Sequence, residues 1–118
     1  VILPGGLPGS YTLRDEKDIQ GFIRGFEGKL LAAICAAPIA LQQAGLLEGR
    51  YMTSHPSMRE MFDPEYYQEK VVVVDKGLVT SRGAGTSFEF AAGILKTLGL
   101  EEKVEELRKA MLYPELRG

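Results

Sequence analysis

Residues 30–38 read LLAAICAAP, and this stretch decides the fold and places the most reactive side chain of the chain. The unbroken apolar run at 30–34 is typical of a strand that is buried on both faces, as in a parallel sheet. Cys35 follows directly. Residues 36–44 then form a helix-compatible run, in which Pro38 is tolerated because it lies in the first turn. The stretch therefore predicts a strand, a sharp turn at Cys35 and a helix.

Cys35 is the only cysteine of the chain. On the predicted turn it faces the first N–H groups of the following helix, whose unpaired donors and dipole favour a negative charge. Both effects favour thiolate over thiol, and thiolate is the reactive form of cysteine. The alternative is a buried cysteine that packs as a small hydrophobic residue, which is the more common fate of a lone cysteine.

The composition limits the classes of function. The chain has 118 residues, enough for one small domain, and its 45% hydrophobic and 25% charged residues are ordinary for a soluble globular protein. A net charge of −2 with both signs interspersed disfavours a nucleic-acid surface. No apolar stretch reaches the about 18 residues that a membrane span needs. With one cysteine there is no internal disulfide, so we expect a cytoplasmic protein.

The chain opens on a strand-like sequence, Val1-Ile2-Leu3, which Pro4-Gly5-Gly6 then breaks. A strand that starts at residue 1 places a charged amino group at the edge of a core, which is costly unless that group reaches solvent. We therefore expect that further residues precede Val1, either removed or belonging to a separate chain.

The rest of the chain alternates helical and strand-like patterns. Asp15 is predicted to cap a helix that ends at Gly28 and carries an apolar stripe at helical spacing, made of Ile19, Phe22, Ile23 and Phe26. Residues 51–53 are predicted to form a short strand, and residues 71–81 a hairpin with Gly77 in its turn.

Two more helices are predicted after the hairpin. The first begins with a capping box of Thr86 and Glu89. Its apolar stripe consists of Phe88, Ala91, Ala92, Leu95 and Leu98, and that of the last helix of Leu100, Val104, Leu107 and Met111.

Strands that alternate with helices predict an α/β sandwich with a mostly parallel sheet and one antiparallel hairpin, as a single domain over residues 1–118. In such sheets functional sites lie at the carboxyl ends of the strands. Four short segments each follow a predicted strand, and we expect them to meet at one rim: residues 4–6, Cys35, His55 and residues 81–83.

An activated cysteine needs a proton partner and donors for a developing oxyanion. The backbone N–H groups of Gly6 and Ala36 are candidate donors, although Gly-Gly is equally consistent with a plain strand-ending turn. His55, the only histidine, is a candidate acid or base because imidazole titrates near neutrality. The alternative is a surface or capping histidine beside Pro56.

Arg82 is a candidate for binding a carboxylate or phosphate, and an ion pair at a subunit contact is an equal alternative. One histidine and one cysteine make no credible metal site, so we expect neither a metal nor another cofactor. The glycine clusters match no phosphate-binding template.

Four sequence blocks occur together in this order: LPGG at 3–6, AAICAAP at 32–38, TSHP at 53–56 and TSRGAGTSFEF at 80–90. Together they resemble the ThiJ/PfpI superfamily, in the branch of the Parkinson-associated protein deglycase and its bacterial relatives. The resemblance covers essentially the whole chain. It implies a flavodoxin-like three-layer sandwich and a homodimer.

The resemblance also implies a site. Cys35 is then a nucleophile on a strained elbow, with His55 nearby. The residues at or beside the substrate are Gly5, Gly6, Ala36, Arg82, Gly83 and Ala84. The implied activity is that of a glyoxalase or deglycase, which acts on methylglyoxal or early glycation adducts and protects against stress. A redox-sensing chaperone without turnover and an intracellular cysteine peptidase are the alternatives.

This sequence departs from the family pattern in two places. The family glutamate that hydrogen-bonds the cysteine lies in a first strand and turn, upstream of Val1, so we expect a separate N-terminal segment that carries it to associate with this chain. Ala84 stands where close relatives often carry proline, which we expect to loosen that turn. Family proteases place histidine directly after the nucleophile, where this chain has Ala36, which disfavours the peptidase alternative.

Overall fold

A four-stranded sheet forms the middle layer of the computed structural model, which describes residues 1–114. The strands are β1 (Ile2–Leu3), β2 (Leu31–Ile34), β3 (Val72–Asp75) and β4 (Leu78–Ser81). They lie in the order β1-β2-β4-β3, with β1, β2 and β4 parallel and β3 antiparallel to β4. The predicted mostly parallel sheet with one hairpin is confirmed.

Helices cover both faces of the sheet. They are α1 (Gly9–Asp15), α2 (Lys17–Arg24), α3 (Pro38–Gln43), α4 (Ser87–Thr97) and α5 (Glu101–Ala110), with short 3-10 helices at Pro56–Met61 and Ala84–Thr86. The first three pack together on one face, while α4 covers the other and carries α5 on its outer side. Within residues 1–114, no helix has the length and apolar composition that crossing a membrane takes.

The central strand β2 explains why its sequence is apolar at every position. Leu31 and Ala33 belong to the core beneath α3, whereas Ala32 packs against Phe90 and Ile94 of α4. Leu31, Ala32 and Ala33 are fully buried. Because both faces of the strand are covered, the polar alternation of a half-exposed strand is absent.

The region before β2 differs from the prediction. Asp15 ends α1 instead of capping the next helix, and its carboxylate accepts a hydrogen bond from Arg14 Nε at 2.7 Å. That hydrogen bond holds the pKa of Asp15 below its ordinary value. The following helix, α2, ends at Arg24, before Gly28. The pattern missed α1 because GSYTLRD has no apolar stripe, and its stability comes from packing against α3.

Two predicted apolar stripes differ from the burial that their spacing suggests. The stripe of α2 is less buried, and the stripe of α4 packs against a different partner. In α2, Ile23 is 1% exposed but Phe22 is 64% exposed. In α4, Phe90 and Ile94 face the sheet. The predicted α4 stripe instead meets α5, where Phe88 and Leu95 line a cavity of about 150 Å³. A helix held between a sheet and a second helix buries two faces, so a single stripe does not describe it.

Candidate functional site

Three parallel strands end at the same edge of the sheet. β1 runs into Pro4 and Gly5, β2 into Cys35, and β4 into Arg82. Because β2 lies between β1 and β4, the turn that carries Cys35 is flanked by the other two turns. This edge is where open α/β sheets place their ligand sites.

Cys35 sits on a strained elbow. Its φ of +66° lies in the left-handed region, which costs a non-glycine residue about 1–2 kcal/mol. Two hydrogen bonds hold it there: its N–H donates to Ser81 O at 3.1 Å, and its carbonyl accepts from His55 N at 2.8 Å. The thiol is free and the residue is partly exposed. Backbone strain that the surrounding structure maintains is typical of functional sites.

Gly5 lies directly against this elbow. A Cβ built at Gly5 would stand 2.5 Å from Cys35 Cβ, 3.4 Å from Cys35 Sγ and 3.0 Å from Ile34 O. Only a residue without a side chain lets the two turns come so close. The next residue, Gly6, has a φ of +97°, which also favours glycine.

Two backbone amides beside the elbow are unengaged. The N–H groups of Cys35 and Ala37 donate to Ser81 O and Ile34 O. Among residues 1–114, by contrast, no protein acceptor receives the N–H of Gly6 or that of Ala36. Such donors are what a developing oxyanion requires.

The helix after Cys35 is shorter than the predicted 36–44. It begins at Pro38, which has no N–H, and its six residues end at Gln43. Its dipole is therefore a weaker source of anion stabilisation than the sequence suggested. Of the two amides that follow the cysteine, that of Ala36 is the one that no acceptor among residues 1–114 receives, whereas that of Ala37 donates to Ile34 O.

The backbone N–H of His55 donates to the carbonyl of Cys35 at 2.8 Å, which places this residue beside the elbow. The predicted strand at 51–53 is wrong: Met52 makes only an isolated parallel bridge to Tyr67. The His55 ring lies beside Gly83, where an added Cβ would be 3.7 Å from Cδ2. Nδ1 accepts from Ser57 N at 3.2 Å and caps the 3-10 helix that follows. This is the capping arrangement weighed above, and an acid–base role for the ring stays a prediction.

Arg82 donates hydrogen bonds to two neutral partners, a backbone carbonyl and a tyrosine hydroxyl. Its Nε donates to Ser54 O at 3.1 Å, and its Nη2 donates to Tyr67 OH at 3.3 Å. Tyr67 OH in turn donates to Ser54 O at 3.1 Å. The predicted anionic or subunit partner of Arg82 stays a prediction. Ser54 and Tyr67 were missed as functional candidates, because no spacing in the sequence signals a contact between them.

Thr86 shapes the turn after β4. Its Oγ1 accepts hydrogen bonds from Gly83 N at 3.1 Å and Arg82 N at 3.2 Å, and donates to Gly83 O at 3.0 Å. The predicted capping box at the start of α4 is therefore wrong, since the Thr86 side chain makes no cap bond there. Ala84 is exposed at the tip of this turn.

No described group of three His, Cys, Asp or Glu side chains is arranged to hold a metal ion. A cleft of about 400 Å³ lies away from the elbow, beside the loop after α3, where Arg50 and Tyr66 contribute to its lining. None of the predicted site residues lines that cleft.

The sequence profile of the DJ-1/PfpI family matches residues 1–97 of this chain. The chain belongs to the DJ-1/PfpI family. It is 43% identical to Protein dj-1beta of Drosophila melanogaster over 116 residues, which cover 95% of this chain and 62% of that relative. It is 29% identical to the Glutathione-independent glyoxalase DJ-1 of Schizosaccharomyces pombe over 118 residues, which cover 96% of this chain and 61% of that relative.

Solved structures of this DJ-1/PfpI family share the fold. Oxidized Toxoplasma gondii DJ-1 matches with a TM-score of 0.88 at 32% identity, over 94% of this chain and 62% of that chain. The likeness confirms the flavodoxin-like sandwich. The chain spans less than two thirds of the length of each of these relatives.

Proposed function

We propose that this chain supplies the nucleophile of a glutathione-independent glyoxalase or deglycase, which acts on methylglyoxal or early glycation adducts and protects against stress. The observation that carries the proposal is Cys35, a non-glycine residue with a φ of +66° at the end of the central strand. The name of the Schizosaccharomyces pombe relative, a glutathione-independent glyoxalase, supports the same chemistry.

In the proposed reaction, the Cys35 thiolate adds to the aldehyde carbon of methylglyoxal. A C–S bond forms, and the electron pair of the C=O bond moves to oxygen. The unengaged N–H groups of Gly6 and Ala36 stabilise that oxyanion. Transfer of the aldehydic proton to the neighbouring carbon gives a lactoyl thioester. Water then hydrolyses the thioester to lactate and restores the thiol.

The proton transfer needs a base beside the thiol. We assign this base to the family glutamate on a segment outside this sequence, with assistance from His55. Two features support docking of such a segment along β1: β1 is an edge strand of the sheet, and its Ile2 is 55% exposed. We further propose that the assembled protein is a homodimer, as the family resemblance implies, and that it works in the cytoplasm.

Lactate formation from methylglyoxal by the intact protein tests this proposal. We expect Cys35→Ala to abolish the reaction, because the atom that carries the substrate is gone. Gly21→Ala is the matched control, since that position lies in α2 and an added Cβ meets nothing there. Full lactate formation by Cys35→Ala would refute the mechanism.

A redox sensor or chaperone without turnover is the second candidate. It is favoured by the partial exposure of Cys35 and by the oxidized state of the similar Toxoplasma gondii structure. Peroxide would convert an accessible thiolate to sulfenic and then sulfinic acid. Rapid stoichiometric oxygen addition in intact mass spectra, without aldehyde turnover, would favour the sensor over the enzyme.

A further inference from the structure

One peptide group, which joins Ser54 to His55, is hydrogen-bonded at both ends. Its carbonyl oxygen accepts from Arg82 Nε at 3.1 Å and from Tyr67 OH at 3.1 Å. Its N–H donates to the carbonyl of Cys35 at 2.8 Å. Because a peptide group is planar, holding its oxygen also fixes the direction of its N–H.

We propose that Arg82 and Tyr67 are positioning residues for the thiol. They hold the peptide group between Ser54 and His55, and that group keeps Cys35 in its left-handed conformation. The inference deepens the proposed function and rests on it, because the elbow geometry matters to catalysis only if Cys35 is the reacting group. It gives Arg82 a role that needs no anionic ligand.

Further polar contacts join these residues to one another. Arg82 Nη2 donates to Tyr67 OH at 3.3 Å, the Tyr67 hydroxyl lies 3.0 Å from Ser54 Oγ, and Ser54 Oγ donates to His55 O at 2.9 Å. Ser54 is fully buried and Tyr67 is 8% exposed. Hydrogen bonds in such a low-dielectric network polarise and strengthen one another.

The Tyr67 ring is held independently of its hydroxyl. It stacks on Phe62 with 6.0 Å between ring centroids, and the Arg59 guanidinium lies 5.5 Å above it. Tyr67→Phe therefore removes the hydroxyl and leaves the ring packing intact. Arg82→Lys keeps the positive charge and removes the planar donors that reach two partners.

The test is the rate at which iodoacetamide alkylates Cys35 in the intact protein, followed by mass spectrometry from neutral to alkaline pH. Tyr67→Phe and Arg82→Lys are compared with Tyr66→Phe, which makes the same chemical change one residue earlier. Gly93→Ala adds a control for lost stability, because its added Cβ would press on Val79 and Val72 at 3.1 and 3.3 Å.

We expect alkylation at neutral pH to slow about two- to tenfold in Tyr67→Phe, the factor that one net hydrogen bond represents. The alkylation–pH curve should move to higher pH, and Arg82→Lys should act in the same direction. Tyr66→Phe and Gly93→Ala should leave the curve in place, whatever their melting temperatures.

Wild-type alkylation curves in both Tyr67→Phe and Arg82→Lys would overturn the proposal. If one of these variants fails to fold, the curve of the other decides. Methylglyoxal turnover by the wild-type protein is measured beside them. Its absence would refute the proposed enzyme, whereas the alkylation curves alone decide whether Arg82 and Tyr67 position the thiol.

Discussion

Gly5→Ala is the sharpest test of the site geometry. The added Cβ would stand 2.5 Å from Cys35 Cβ, whereas ordinary carbon–carbon contacts are about 3.5–4.0 Å. The backbone of one turn must therefore move by roughly 1 Å. The same added Cβ would also stand 3.0 Å from the carbonyl oxygen of Ile34, so an adjustment of the cysteine side chain alone would not relieve the crowding.

The expected cost has two parts. Overpacking of this kind lowers the free energy of unfolding by about 1–3 kcal/mol. A displacement of about 1 Å at the reacting atom lowers kcat/KM about a hundredfold. The two quantities are measured by urea denaturation and by lactate formation from methylglyoxal, and Cys35 alkylation reports on the thiol even without turnover.

Gly9→Ala is the matched control for Gly5→Ala. Gly9 is exposed at the first residue of α1, and an added Cβ there meets nothing within 4 Å. Its free energy of unfolding should change by no more than about 0.5 kcal/mol, and its thiol should react as in the wild type. A Gly5→Ala protein with wild-type stability and wild-type alkylation would show that the two turns are not in contact.

The remaining predictions concern buried packing and polar groups. Gly93→Ala should destabilise the protein by about 1–3 kcal/mol, because its added Cβ would meet Val79 Cγ1 at 3.1 Å. Gly21→Ala, whose added Cβ meets nothing, should instead stabilise α2 by about 0.5–1 kcal/mol. Thermal melts that rank the two variants the other way would contradict the packing of α4 on the sheet. Thr80→Val should cost about 1–3 kcal/mol, because Thr80 Oγ1 accepts from Thr53 N at 2.9 Å and the buried N–H loses its acceptor. Thr53→Val should leave stability unchanged or raise it, since Thr53 Oγ1 is buried without a partner among the described residues; equal losses in the two urea-denaturation curves would contradict this assignment.

The central strand and the turn at Cys35 could be predicted from the sequence because their signal is local. An unbroken apolar run marks a strand covered on both faces, and Cys35 is the residue directly after it. The hairpin could also be predicted, because Gly77 stands in a short turn sequence between two strand-like runs, and the structure gives both Lys76 and Gly77 a positive φ.

The contacts that position the thiol could not be predicted, because they join distant parts of the chain. Arg82 meets Ser54 across 28 positions, and Tyr67 meets it across 13. Ser54 and Tyr67 carry no motif of their own. The close approach of Gly5 to Cys35 was likewise hidden, since a Gly-Gly pair after a strand reads equally well as an ordinary turn.

Errors in the helices have a common cause. α1 has no apolar stripe, and α4 buries different faces against the sheet and against α5. A periodic pattern identifies which residues of a helix are apolar, but the neighbouring elements decide which of them become buried.

The fold should make Cys35 a better nucleophile than the same cysteine in the unfolded chain, so the unfolded protein serves as the reference. The alkylation rate of Cys35 at neutral pH is measured in the folded protein and again after unfolding in urea, where the same thiol has lost its elbow and the adjoining amides. We expect faster alkylation in the folded protein. Equal or slower alkylation in the folded protein would contradict it, because the fold would then give the sulfur no advantage as a nucleophile.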